Sequence, residues 1–112
     1  MNKYITLNNE RLNLNFTSQQ KELIKTVYEL FTEGSYSEMV NFVYSQEILK
    51  KLGAKYQQGG YWIDAQTRTN PLYKLVEDIE IRLAIQVGRL SKSPNTNTDF
   101  SENKKVLEDY LR

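Results

Sequence analysis

From Asn70 to Pro94 the chain encodes one helix with two apolar faces, a demand that few small folds satisfy. Asn70 suits the cap, and Pro71 suits the first helical position, where a missing N–H costs nothing. Glu77, Asp78 and Glu80 come early and Arg82, Arg89 and Lys92 late, the order that the helix dipole favours. At about 100° per residue, Leu72, Leu75, Val76, Ile79, Leu83 and Leu90 form one stripe. Ile81, Ala84, Ile85 and Gly88 form a second stripe on roughly the opposite side, spaced i, i+3, i+4, i+7. A surface helix of a small monomer needs only one such face. The expectation is a helix that meets its own domain on one side and another chain on the other.

With 112 residues the chain makes one domain with a modest core. It has no cysteine, which removes disulfides and thiolate metal sites and fits a reducing cytoplasm. It has no histidine, which removes the usual general base and the commonest metal ligand. Its 14 acids form no catalytic or metal-binding motif, so neither an enzyme nor a cofactor is expected. No segment has the run of about 20 apolar residues that a membrane span needs, and the N-terminus lacks a signal-peptide pattern. A net charge of +1 supplies no overall field toward DNA, although an assembly can still gather a small basic patch from each copy.

Residues 1–16 read as an Asn-rich arm, in which Leu12, Leu14 and Phe16 alternate with Asn as a short strand or extended arm would. Thr17 and Gln20 make a capping box for a first helix running to about Thr32, and Gly34 ends it. Ser35 and Glu38 open a second helix that carries Met39, Val40, Val43, Ile48, Leu49 and Leu52 and closes at Gly53. Residues 54–64 read as a hairpin around Gly59-Gly60. The long helix covers 71–90, so the core spans 17–94. Residues 95–112 are a polar linker and a short amphipathic segment, 104–111, that orders only by docking. The expected fold is mainly α, with three principal helices and a small β-hairpin between the second and third.

This order of elements resembles the small terminase subunit of tailed phages, in the family that accompanies the large terminases of cohesive-end phages. Leu52-Gly53, the Gly59-Gly60 turn with its aromatic strand, and Asn70-Pro71-Leu72 carry the resemblance, which covers roughly residues 18–94. Arg89-Leu90 through Ser93-Pro94 matches the family's ending loosely, without its glycine between two leucines. The resemblance implies a non-enzymatic DNA-packaging component in the host cell cytoplasm. Such proteins form homo-oligomeric rings, recognise double-stranded viral DNA and regulate the large subunit.

On that basis Lys50, Lys51 and Lys55, with Arg68 at the far end of the insert, are candidates for phosphate contact, as are Lys21 and Lys25 on the first helix. Lysines at a helix end also simply complement its dipole, and a solvated face explains the other two equally well. Tyr56, Tyr61 and Trp62 could stack on the bases of a single strand, but alternating aromatics on a hairpin are read here as packing or interface anchors, Tyr61 and Trp62 above all. Ile81, Ala84, Ile85 and Gly88 are read as an intersubunit seam in preference to a helix buried on both sides within one domain. Val106, Leu107, Tyr110 and Leu111 are candidates for docking the large subunit. Two rivals stand beside this reading. One is a winged helix-turn-helix regulator, from two helices joined at Gly34-Ser35 and followed by a hairpin, against which the second helix offers only Asn41 and Gln46 to read bases. The other is a small phage-encoded inhibitor of a host protein.

Overall fold

The computed structural model describes residues 3–91 and 100–112. The chain opens with an antiparallel hairpin, β1 (Tyr4–Leu7) and β2 (Glu10–Asn13), in place of an extended arm. Its two-residue turn is Asn8-Asn9, both at positive φ as a type I′ turn requires, and asparagine tolerates that region better than most residues. Alternation puts Ile5, Leu7 and Leu12 on one face, where they join the core of the same chain.

Helix α1 (Ser18–Glu33) has the predicted box: Thr17 Oγ1 accepts the Gln20 N–H at 3.2 Å, and Gln20 Oε1 accepts the Thr17 N–H at 2.9 Å. Leu23, Ile24, Val27, Tyr28 and Phe31 form its buried face. The predicted second helix is two helices, α2 (Tyr36–Val43) and α3 (Gln46–Lys51). Ser45 makes the break. Its backbone is extended, its hydroxyl donates to the Phe42 carbonyl at 2.9 Å, and its oxygen accepts the Ile48 N–H at 3.4 Å. A serine able to cap a new helix competes with continuation of the old one.

After α3, the strands β3 (Lys55–Gln57) and β4 (Gly60–Trp62) pair antiparallel. Their turn is Gln58-Gly59, one residue earlier than expected, with both residues at positive φ. A short 3-10 turn, Thr67–Thr69, leads to α4 (Pro71–Gln86), where Asn70 Oδ1 accepts the Leu72 N–H at 2.9 Å. Gly88 at φ 80° closes α4 four residues earlier than predicted, with the Arg89 N–H on the Ala84 carbonyl at 2.7 Å and the Gly88 N–H on the Ile85 carbonyl at 3.1 Å. Leu90 thereby leaves the core stripe and is 51% exposed. The Ser93-Pro94 stop and most of the polar linker lie outside the described residues.

Helix α5 (Phe100–Leu111) is longer than the predicted segment and packs on β1 and α1. Its Leu107 and Leu111 are core residues, with Leu107 only 1% exposed. The core as a whole lies among α1, α2, α4 and α5, around Ile24, Val27, Met39, Leu72, Val76, Ile79 and Leu83. The described residues thus form five α-helices and two small hairpins, where three principal helices and one hairpin were expected. No helix among them is long and apolar enough to cross a membrane.

Candidate nucleic-acid interface

The predicted DNA-contacting residues fall into separate groups. Lys50 and Lys51 end α3 and Lys55 begins β3, so these three gather where the helix meets the hairpin, all exposed. Lys51 lies 3.7 Å from Glu47 one turn back, an exposed pair of small energetic weight. Gln46, on the same side of α3 as Lys50 one turn away, clamps β4. Its Oε1 accepts the Tyr61 N–H at 2.6 Å, and its Nε2 donates to the Tyr61 carbonyl at 3.3 Å. Gln46 is therefore a structural brace, not the base reader considered for it.

Arg68 belongs elsewhere. Its guanidinium lies 3.7 Å from Glu77 on α4, across from Lys74, which reaches Glu10 of β2 at 3.7 Å. Lys21 sits 4.7 Å from the Tyr110 ring, and Lys25 lines a shallow cleft with Tyr28 and Glu108. Both belong to the α1–α5 side of the fold.

The proposed seam is divided as well. Ala84 is 1% exposed and lies in the chain's own core, so it does not belong to an outer face. Gly88 is an exposed helix terminator. Ile81 and Ile85 are half-buried and line an open groove of about 580 Å³ with Leu7, Leu12 and Leu90. The N-terminal hairpin stands across this groove from the second face, and Ala84 is buried, so that face leaves less open surface than the helical wheel implied. Arg11, Arg68 and Lys74 stand on the groove's sides with Glu10, Glu77 and Asp78, so its charges are nearly balanced.

Asp78 and Arg82, spaced i, i+4 on α4, form a pair with atoms 3.6 Å apart and side chains only 13% and 10% exposed. Burial pushes the Asp78 carboxyl above its ordinary range, while Arg82 pulls the other way. The Arg82 guanidinium also lies 5.0 Å from the Phe100 ring at the start of α5. Nearby, Tyr44 Oη donates to Glu80 at 2.9 Å and Tyr73 Oη donates to Glu77 at 2.8 Å. Burial raises Glu80 against the stabilising hydrogen bond from Tyr44. The Tyr44 bond ties the end of α2 to α4, whereas the Tyr73 bond lies within α4. Among the described residues, no group of three acids, histidines or cysteines is placed to hold a metal ion.

Leu107 and Leu111 are committed to the core, and Val106 and Tyr110 pack against it. Tyr110 Oη accepts the Phe16 N–H at 3.0 Å. The tethered-peptide expectation for residues 106–111 is thereby corrected: the bed that orders this helix is the chain itself. On the hairpin, Tyr61 is half-buried against Tyr56, with ring centroids 5.2 Å apart, whereas Trp62 is 53% exposed. The exposed lysines mark the candidate interface, but the register that sets Trp62 opposite Lys55 was not legible from spacing alone. Compared with protein-family models, curated proteins and solved structures, the chain matches none.

Proposed function

We propose that this chain is a terminase-small-subunit-like component of viral genome packaging. In this reading it is a non-catalytic protein that self-associates into a ring, binds double-stranded DNA and hands it to the large subunit. The observation that carries the proposal is the open groove along α4. Ile81, Ile85 and Leu90 remain accessible there after the hairpin and α5 have packed, and a second copy would cover them. The resemblance through Asn70-Pro71-Leu72 adds support, as does the exposed cluster of Lys50, Lys51 and Lys55, which repetition around an axis would multiply. Where such an assembly contacts the large subunit has to be an exposed surface, because the apolar face of α5 is already used.

The test is the mass of the purified chain by light scattering, followed by duplex binding across a salt series. A multimer with salt-dependent duplex affinity is the expected result. A well-folded monomer at micromolar concentration overturns the ring, and absence of duplex binding at low salt overturns the DNA role.

One observation favours a second reading. The break at Ser45 makes the order α2, short turn, α3, hairpin, which is also the order of a helix-turn-helix followed by a wing. A stable dimer with strong preference for a palindromic site supports that regulator in place of the ring.

A further inference from the structure

We infer that Trp62 is a stacking platform for an unpaired nucleobase of single-stranded DNA, with Lys50 and Lys55 placed for the flanking phosphates. This rests on the DNA-binding part of the preceding proposal and adds a ligand class to it.

The hairpin register places Lys55 directly opposite Trp62, and directly opposed side chains of an antiparallel pair share one face. Tyr56 opposes Tyr61 on the other face, where the two rings pack edge to face. The indole is held. Its Nε1 donates to the Gln57 carbonyl at 2.8 Å, so the polar edge is satisfied within the hairpin while the ring stays half exposed.

Gly60 lies close beneath this arrangement: a Cβ there would press on Gln46 Oε1 at 3.1 Å and touch the indole nitrogen at an ordinary 3.7 Å. The same Gln46 fixes β4 to α3, and Lys50 lies one turn further along that side of the helix. A braced aromatic surface with Lys55 across the strand and Lys50 on the adjoining helix suits a base and its neighbouring phosphates, since stacking accepts any base and lysines add salt-dependent affinity. Asp64, which feels the charge of Lys55, is the nearby carboxylate that a phosphate would have to outcompete. The cations favour a polyanion over a second copy of the chain as occupant. A duplex keeps its bases stacked internally, so the platform favours an unpaired strand.

Trp62 is the single tryptophan of the chain, which makes the test direct. The full-length protein is titrated with an oligothymidylate and with a blunt duplex of equal length, with the indole excited where tyrosine does not absorb. Quenching by the single strand, and about tenfold weaker single-strand binding by Trp62→Ala with duplex affinity nearly unchanged, is the expected result. Trp62→Phe keeps a ring and recovers part of the loss. Saturable single-strand binding with unchanged emission and unchanged affinity in Trp62→Ala overturns the stacking role but leaves duplex binding standing. Loss of assembly mass in Trp62→Ala with unaltered single-strand affinity overturns it in favour of a protein contact. If no nucleic acid binds at any salt, the DNA reading itself fails.

Discussion

Asn103 on α5 pairs with the backbone of Thr6 on β1 as a third strand would: Oδ1 accepts the Thr6 N–H at 3.2 Å, and Nδ2 donates to the Thr6 carbonyl at 2.7 Å. Asn103 is buried, and this double contact satisfies one end of an otherwise open strand edge. Asn103→Ala is expected to destabilise the chain by about 2 kcal/mol, two net hydrogen bonds, in urea unfolding. Asn103→Asp keeps the acceptor but sets a charge against the Thr6 carbonyl and should cost more. An effect below experimental error would mean that water replaces the amide without loss.

Gly53 closes α3 at φ 92°, and a Cβ there would meet the Asn70 amide nitrogen at 2.6 Å. Gly53→Ala therefore combines left-handed strain with displacement of the residue that caps α4, for a loss of about 2 kcal/mol. Gly34→Ala has the strain without the collision, since nothing lies within 4 Å of a Cβ at that position. Thermal unfolding of the two variants should rank Gly53→Ala as the less stable.

Adjacent residues on α4 separate core from surface. Ala84→Leu forces extra volume into a packed site and should cost about 1–3 kcal/mol of stability. Ile85→Asp should leave a helical, cooperatively folding chain but lower the mass of any assembly. Global unfolding of Ile85→Asp by circular dichroism would return Ile85 to the intradomain core.

Charge reversal of Lys50 and Lys51 tests the basic cluster. If both contact phosphate, the log–log salt slope for duplex binding falls by about 2 with the assembly mass unchanged. A slope identical to that of the unmodified chain removes both lysines from the interface.

Three phenols that donate to carboxylates, two of them buried and Tyr44 partly so, set the alkaline limit. Tyr73 is pushed up to about 12, by burial and then by its hydrogen bond to Glu77. Tyr28 and Tyr44 are also raised, by burial and by Glu108 and Glu80 respectively. Each stays protonated in the fold at a pH where the unfolded chain has begun to ionise, near 10. Their contribution is therefore complete below about pH 10 and is lost as pH rises through the folded values. Ellipticity followed across that range should fall, and Tyr44→Phe with Tyr73→Phe should flatten the dependence.

Where local chemistry decides structure, the sequence was readable. The Thr17–Gln20 box, the Asn70 cap with Pro71, and the glycine stops at 34 and 53 act within a few residues of themselves. Ser45 was misjudged because a serine inside an apolar pattern either tolerates the helix or caps a new one, and packing decides which. Asn8-Asn9 was the missed turn signal; the alternation on either side of it was visible only in part. The errors at Ala84, Leu107 and Leu111 share one cause. Periodicity reports that a face is apolar but not what covers it, and the covering segments lie at opposite ends of the chain. The pairing of Trp62 with Lys55 was obscured similarly, because the cross-strand partner is fixed only once the turn is placed at Gln58-Gly59.

The contacts from Thr6 and Phe16 to α5 span 97 and 94 residues. During synthesis, the edge of the first hairpin that meets α5 would therefore stay unpartnered until α5 has cleared the ribosome. A product that stops short of residue 100 would leave the Leu107 socket empty and present a greasy surface to chaperones and proteases.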